Sequence, residues 1–203
     1  MKILFLDLDN TLFSPRQIHP AQVNDFFIFL FKLIPPARRK SEKVVYEHFV
    51  RLSLSELLDL YQIDKNQFKE RYKERKLFTR DIHLSPYEDY NHIKNSNTRK
   101  FLVTTGLTGF QKFKIKNLGI EYDFEEIVID DPVFNPIGKR KAFLYLMDKH
   151  NLKHNRIWVI GDNPGSEIQA GIELGLKTIL IDRKRQSSND KLETITSFSE
   201  LKL

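Results

Sequence analysis

The chain has 203 residues, 40% of them hydrophobic, with no cysteine and a formal net charge of +6 at pH 7. That length fits one substantial domain, or a core domain with a modest insertion. The absence of cysteine excludes a disulfide framework, a thiolate metal site and a cysteine nucleophile, and suits a reducing, cytoplasmic setting.

In chain order, Ile3-Leu4-Phe5-Leu6 is short, apolar and bounded by acid, so it reads as a buried strand. Asp7-Leu8-Asp9-Asn10-Thr11 follows at once, too early for a secretory signal. A parallel strand delivers terminal carboxylates to the sheet's carboxyl edge, where open α/β sheets place ligands. Burying two negative charges one residue apart calls for a cation or a proton. The alternative is an acidic strand-to-turn junction capped by Asn10 or Thr11.

From residue 14 to 97 no strand pattern stands out, and several helices are expected. Pro20 opens one and Pro35-Pro36 ends it, with Val23, Phe26, Phe27 and Leu30 burying a stripe. The longest apolar block, residues 26–31, is far below the ~20 residues that span a bilayer, so a soluble protein with no membrane partner is expected. Ser53-Leu54-Ser55-Glu56 forms a capping box for a second helix, and Asp64 with Gln67 opens another running to about Lys76. Roughly eighty inserted helical residues make a second small domain, placed as a lid beside the carboxylates. Basic excess at Arg38-Arg39-Lys40 and from Lys65 to Arg80 reads first as solvated helix faces, since acids are mixed in. A rim that attracts anionic small substrates ranks second. Nucleic-acid binding ranks last, because no reader motif accompanies the charge.

Beyond residue 98, apolar segments at 100–104, 126–129, 157–160 and 177–181 alternate with helical patterns near 110–118, 139–150 and 166–174. This predicts a Rossmann-like, doubly wound α/β fold with a mostly parallel sheet. Thr104-Thr105-Gly106 closes one strand with hydroxyl and backbone N–H groups able to hold phosphate oxygens. Lys139 opens the next helix but one, where an ammonium would neutralise phosphate and carboxylate; Lys141 competes for that role. Asp162 ends the following strand, with Glu167 near the start of the helix after it. Singly, these read as a strand-end hydroxyl, a solvated lysine and an acidic helix cap. Their succession along the carboxyl edge of one sheet favours a joint site. An oxygen-rich, cysteine-free set selects Mg²⁺. The six histidines lack ligand spacing, and neither a Walker loop nor a dinucleotide fingerprint is present.

Asp7-x-Asp9-x-Thr11, Thr104, Lys139, and Asp162 with Glu167 resemble, in order, the four motifs of the haloacid dehalogenase-like superfamily. The likeness covers residues 1–11 and about 99–182, and the insertion is similar to that superfamily's helical cap. It implies a catalytic core of residues 1–13 and 98–203 with a cap at 14–97. It implies that Asp7 attacks phosphorus to form an aspartyl-phosphate, while Asp9 protonates the leaving oxygen and then takes a proton from water. Mg²⁺ would bind the Asp7 carboxylate, the Asp9 carbonyl and Asp162, with Glu167 supporting through water. Thr104 and Lys139 would hold the nonbridging oxygens, and Thr105 stands where asparagine is common in relatives. Retention of Asp9 favours phosphomonoesters over dehalogenation, because halide leaves without a proton. Arg16 and His19, close behind the first motif, are the candidate substrate contacts. The expected activity is Mg²⁺-dependent hydrolysis of a small phosphorylated metabolite, either a nucleotide or a sugar phosphate. A phosphomutase on the same core is one alternative. A non-catalytic protein binding RNA or an acidic partner through its basic insert is the other.

Overall fold

Six strands form one parallel sheet in the computed structural model, which describes residues 1–49, 52–73, 75, 77–183 and 192–202. They are β1 (Ile3–Leu6), β2 (Arg99–Thr105), β3 (Glu126–Asp130), β4 (Ile157–Gly161), β5 (Lys177–Ile181) and β6 (Thr194–Ile195). Their order is β3-β2-β1-β4-β5-β6, so the direction of winding reverses at β1. Leu6 is in register with Leu102 of β2 and Ile160 of β4, which brings the carboxyl ends of these three strands together. The first five strands fall where the apolar runs place them. The two-residue β6 is too short to leave a pattern.

Between β1 and β2 lie α1 (Asn24–Leu33), α2 (Glu42–Phe49), α3 (Leu54–Leu60), α4 (Lys65–Lys73) and the short α5 (Tyr90–Lys94). Pro20 sits in a 3₁₀ turn ahead of α1 instead of opening it. The capping box of α3 forms: Ser53 Oγ accepts from Glu56 N, and Glu56 Oε2 accepts from Ser53 N. Asp64 Oδ1 accepts from Gln67 N at 2.7 Å and opens α4, which ends at Lys73; Lys76 lies outside the described residues. Phe26, Phe27, Phe29, Leu30, Leu57 and Phe68 build the core of this insert, which also takes in Leu107 and Val133. No helix among the described residues is long and apolar enough to cross a membrane.

Three more helices are α6 (Thr108–Leu118), α7 (Gly138–Lys149) and α8 (Gln169–Glu173). Strand periodicity divides the sheet's side chains between two cores. Ile3, Phe5, Phe101, Val103 and Val159 pack beneath α7 and α8, whereas Leu4, Leu6, Leu102 and Ile160 pack against α5 and α6. The connections to the insert are cross-tied: Tyr87 N donates to Leu12 O, and the Gln17 amide exchanges two hydrogen bonds with the Ser85 backbone. Arg183, just past β5, donates to Thr11 O at 2.8 Å and pairs with Asp89, its guanidinium stacked over Tyr87 and Phe198.

Phe143 of α7 is buried, with its ring 5.1 Å from that of Phe5. Replacing Phe143 by Ala is expected to lower the unfolding free energy by about 3–5 kcal/mol. The readout is a lower urea midpoint at unchanged slope.

Candidate active site

Asp7 continues the alternation of Ile3 and Phe5, so its side chain emerges on the α7 face of the sheet. Lys139, in the first turn of α7, meets it there. Its Nζ lies 2.5 Å from Asp7 Oδ1, 2.5 Å from Val103 O and 3.7 Å from Glu167 Oε2. Lys141 lies two residues further round the helix and is exposed, so only Lys139 reaches the carboxylates. Gly161 shares the strand face of Asp7, and a Cβ there would stand 2.2 Å from Glu167 Oε1. The missing side chain is what lets Glu167 fold under the end of β4. A single π turn, Pro164–Ile168, carries Glu167 in place of the expected α-helical start, and its Oε1 accepts from Asn163 N at 2.8 Å.

Ligand oxygens of Asp7, Asp162 and Glu167 lie within 4.8 Å of one another. Burial pushes the Asp7 carboxyl up, with Glu167 and Asp9 adding to the push and Lys139 opposing it. Burial and the charge of Glu167 push Asp162 up to about 6, against a hydrogen bond from Asn10. Asn10 holds its place with φ at 56°, a left-handed conformation that asparagine tolerates. Burial alone would pull the Lys139 ammonium down, yet Asp7 and Glu167 outweigh it and hold it above its ordinary range. Among the described residues one ammonium faces these three carboxyls, so full ionisation would leave two negative charges unbalanced, and Asp7 and Asp162 are held partly protonated instead, Asp7 up to about 7. All-oxygen donors with that deficit fit a hard divalent cation such as Mg²⁺.

Thr104 and Thr11 are fully buried, and their hydroxyls have no partner among the described residues. An unsatisfied buried hydroxyl costs about 1–3 kcal/mol, which a ligand oxygen beside Thr104 would recover. The Thr105 hydroxyl is instead directed to Asp130 Oδ2 at 3.2 Å. Asp130 also accepts from Ile137 N and Gly138 N, fixing the start of α7 and hence Lys139. Asp9 stands apart from the carboxylate trio. Both its oxygens face Lys114 Nζ of α6, at 2.8 and 2.5 Å. Asp130 and Lys114 were not among the residues that the sequence singles out. A Gln111-x-x-Lys114 pair one turn apart, directly after the Thr104 strand, was the available signal.

A sequence profile described as haloacid dehalogenase-like hydrolase matches residues 3–181. The chain belongs to that family. Pyrimidine 5'-nucleotidase YjjG of Escherichia coli K12 is 25% identical over 109 residues, which cover 52% of this chain and 48% of YjjG. The chain thus aligns with about half the length of that curated relative. Among solved structures, the UTR4 protein of Saccharomyces cerevisiae superposes with a TM-score of 0.60 at 15% identity, covering 98% of this chain and 99% of its own. YfnB of Bacillus subtilis, described as a HAD-hydrolase bound to magnesium, gives 0.60 at 14% identity, covering 98% and 96%. At these identities the two structures attest to the fold.

In this haloacid dehalogenase-like hydrolase a cavity of about 580 Å³ opens beside Asp9. Asp9, Thr105, Gln111 and Lys114 line its polar end, and Phe26, Tyr46, Phe49 and Phe110 are among its apolar walls. Arg16 lines it as well. His19 does not; its ring accepts from Ala21 N, and its own N–H donates to Gln22.

The raised Asp162 carboxyl has a signed consequence for stability. The folded state keeps this proton beyond the ordinary 3.8, so ionisation weakens folding up to about 6. Without metal, the unaltered protein is expected to lose melting temperature relative to Asp162→Asn as pH rises through that interval. Added Mg²⁺ should restore it, as scanning calorimetry would show. A difference independent of pH and Mg²⁺ would exclude the site.

Proposed function

We propose that this protein is a Mg²⁺-dependent phosphatase that releases phosphate from a small phosphomonoester through an aspartyl-phosphate on Asp7. The two-charge deficit around Asp7, Asp162 and Glu167, facing Lys139, carries this reading. Residues 1–13 and 98–203 act as the catalytic core and residues 14–97 as the cap that selects substrate. The cysteine-free composition fits a cytoplasmic setting.

Asp7 attacks phosphorus as the bond to the leaving oxygen breaks; Asp9, paired with Lys114, takes the proton that a phosphate monoanion carries in and passes it to that oxygen. Water then attacks phosphorus, Asp9 takes its proton, and the phosphorus–Asp7 bond breaks to free phosphate. Lys139 and the unpartnered Thr104 hydroxyl hold the phosphoryl oxygens. Asp7, Asp162 and Glu167 would hold Mg²⁺, which supplies positive charge to the phosphoryl group and to Asp7.

Away from its polar end the cavity is walled mainly by apolar and aromatic side chains, with Arg16, Tyr46 and Ser53 as the polar additions. Such walls suit a flat, partly apolar leaving group, and the partial likeness to a pyrimidine 5'-nucleotidase points the same way. A nucleoside monophosphate is therefore the favoured substrate class. The same walls weigh against a sugar-phosphate mutase.

A phosphate-release screen of nucleoside monophosphates and sugar phosphates, with and without Mg²⁺, tests both parts. Nucleotides are expected to lead, and only with Mg²⁺. Preference for sugar phosphates would overturn the substrate class, and no release from any compound would overturn the activity. Asp7→Asn should abolish turnover with the circular dichroism spectrum unchanged; retained turnover would remove Asp7 as nucleophile.

A further inference from the structure

Lys114 is out of place for a surface helix. It is 3% exposed, and its ammonium lies 4.9 Å from the Phe110 ring centre and 5.9 Å from that of Phe13. Desolvating an ammonium to this degree is costly unless a charged partner compensates it. That partner is Asp9, engaged through both oxygens. Gln111 adds a long contact from Nε2 to Asp9 Oδ2 at 3.4 Å, and is itself anchored to Thr105 O at 2.7 Å. Gly106 makes room for this anchor. A Cβ at that position would stand 2.3 Å from Gln111 Nε2, and its φ of 150° is one that side chains rarely adopt. The Asp9 carboxylate is thus tied to the β2–α6 corner, where Asp9 and Lys114 both line the cavity.

The consequence lies in where Asp9 is not. It is only two residues from Asp7, yet the trio whose oxygens converge is Asp7, Asp162 and Glu167. We infer that Lys114 is a positioning residue: it holds the Asp9 carboxylate toward the leaving-group cavity and away from the three metal-facing carboxylates. Without it, the negative carboxylate of Asp9 is free to turn toward a bound divalent cation, where it cannot serve the leaving oxygen. This inference rests on the phosphatase reading above and adds a residue that the four motifs do not include.

The discriminating measurement is the dependence of kcat/KM on the leaving group. This parameter reports steps up to phosphoenzyme formation, where alkyl leaving groups need a proton and p-nitrophenolate does not. Lys114→Met is expected to lower kcat/KM for alkyl phosphates about tenfold to a hundredfold, a share of the ~10²–10⁴ that proton transfer supplies. The loss for p-nitrophenyl phosphate should be several times smaller. Lys114→Arg, which keeps the charge, should recover most of the alkyl-phosphate rate. A crystal structure of Lys114→Met with Mg²⁺ should show the Asp9 carboxylate rotated from the cavity toward the ion.

Equal losses for both substrate types, a rise in KM alone, or Asp9 unmoved in that crystal would overturn the assignment of Lys114 and leave the phosphatase reading intact. If the unaltered protein shows no Mg²⁺-dependent hydrolysis of p-nitrophenyl phosphate, the phosphatase reading falls, and this inference with it.

Discussion

Unbalanced negative charge at the reversal point of the sheet is the constraint around which this molecule is arranged. Asp7, Asp162 and Glu167 converge from two strand ends and a helix start, and among the described residues one ammonium, Lys139, answers them, pairing with Asp7 and Glu167. The remaining repulsion is borne by the apolar framework beneath. Ile3, Phe5, Phe101 and Val159 lock the strands that present the carboxylates, and Phe143 presses α7 onto them. The site is therefore strained electrostatically and supported hydrophobically, a division of labour common where binding energy for a ligand is stored in the fold.

Small features convert that framework into a site. The alternation along β1 aims Asp7 at α7, and Asp130 pins the N-terminal turn of α7 so that Lys139 arrives at the right height. Gly161 leaves a space that Glu167 fills. None of these is itself a reacting group. Substitutions at Gly161 or Asp130 would therefore be felt in the chemistry although neither residue belongs to the carboxylate trio.

Much of this was legible in the residues themselves. Short continuous apolar runs located five strands, and the succession of Asp7, Thr104, Lys139, Asp162 and Glu167 along one edge pointed to the candidate site, where Asp7, Lys139, Asp162 and Glu167 do come together. What escaped did so for physical reasons. Lys139 and Lys141 look alike on paper, but two positions on a helix are about 200° apart, and only the docked face of α7 separates them. Pro164-Gly165-Ser166-Glu167 reads as a turn with an acidic cap, so the π turn that swings Glu167 inward carries no composition signal. Lys114 sits in a lysine-rich stretch, Lys112 to Lys116, that looks solvated throughout. Only the packing of α6 reveals that one of its cations is enclosed. His19 is close to the first motif in sequence, but its ring accepts from Ala21 N in a local turn and does not line the cavity.

The clamp formed by Arg183, Thr11 and Asp89, together with the cross-ties at Leu12–Tyr87 and Gln17–Ser85, fastens both stems of the insert to the sheet. Any swing of the helices must therefore hinge farther out than Gln17 and Ser85. Arg16, next to Gln17, is held on the same base as Asp9 and Lys114, whereas Phe26, Tyr46 and Phe49 reach the cavity from beyond the ties. The ionic end of the enclosure is thus a fixed sill, and its apolar end is built from the far side of the fastening.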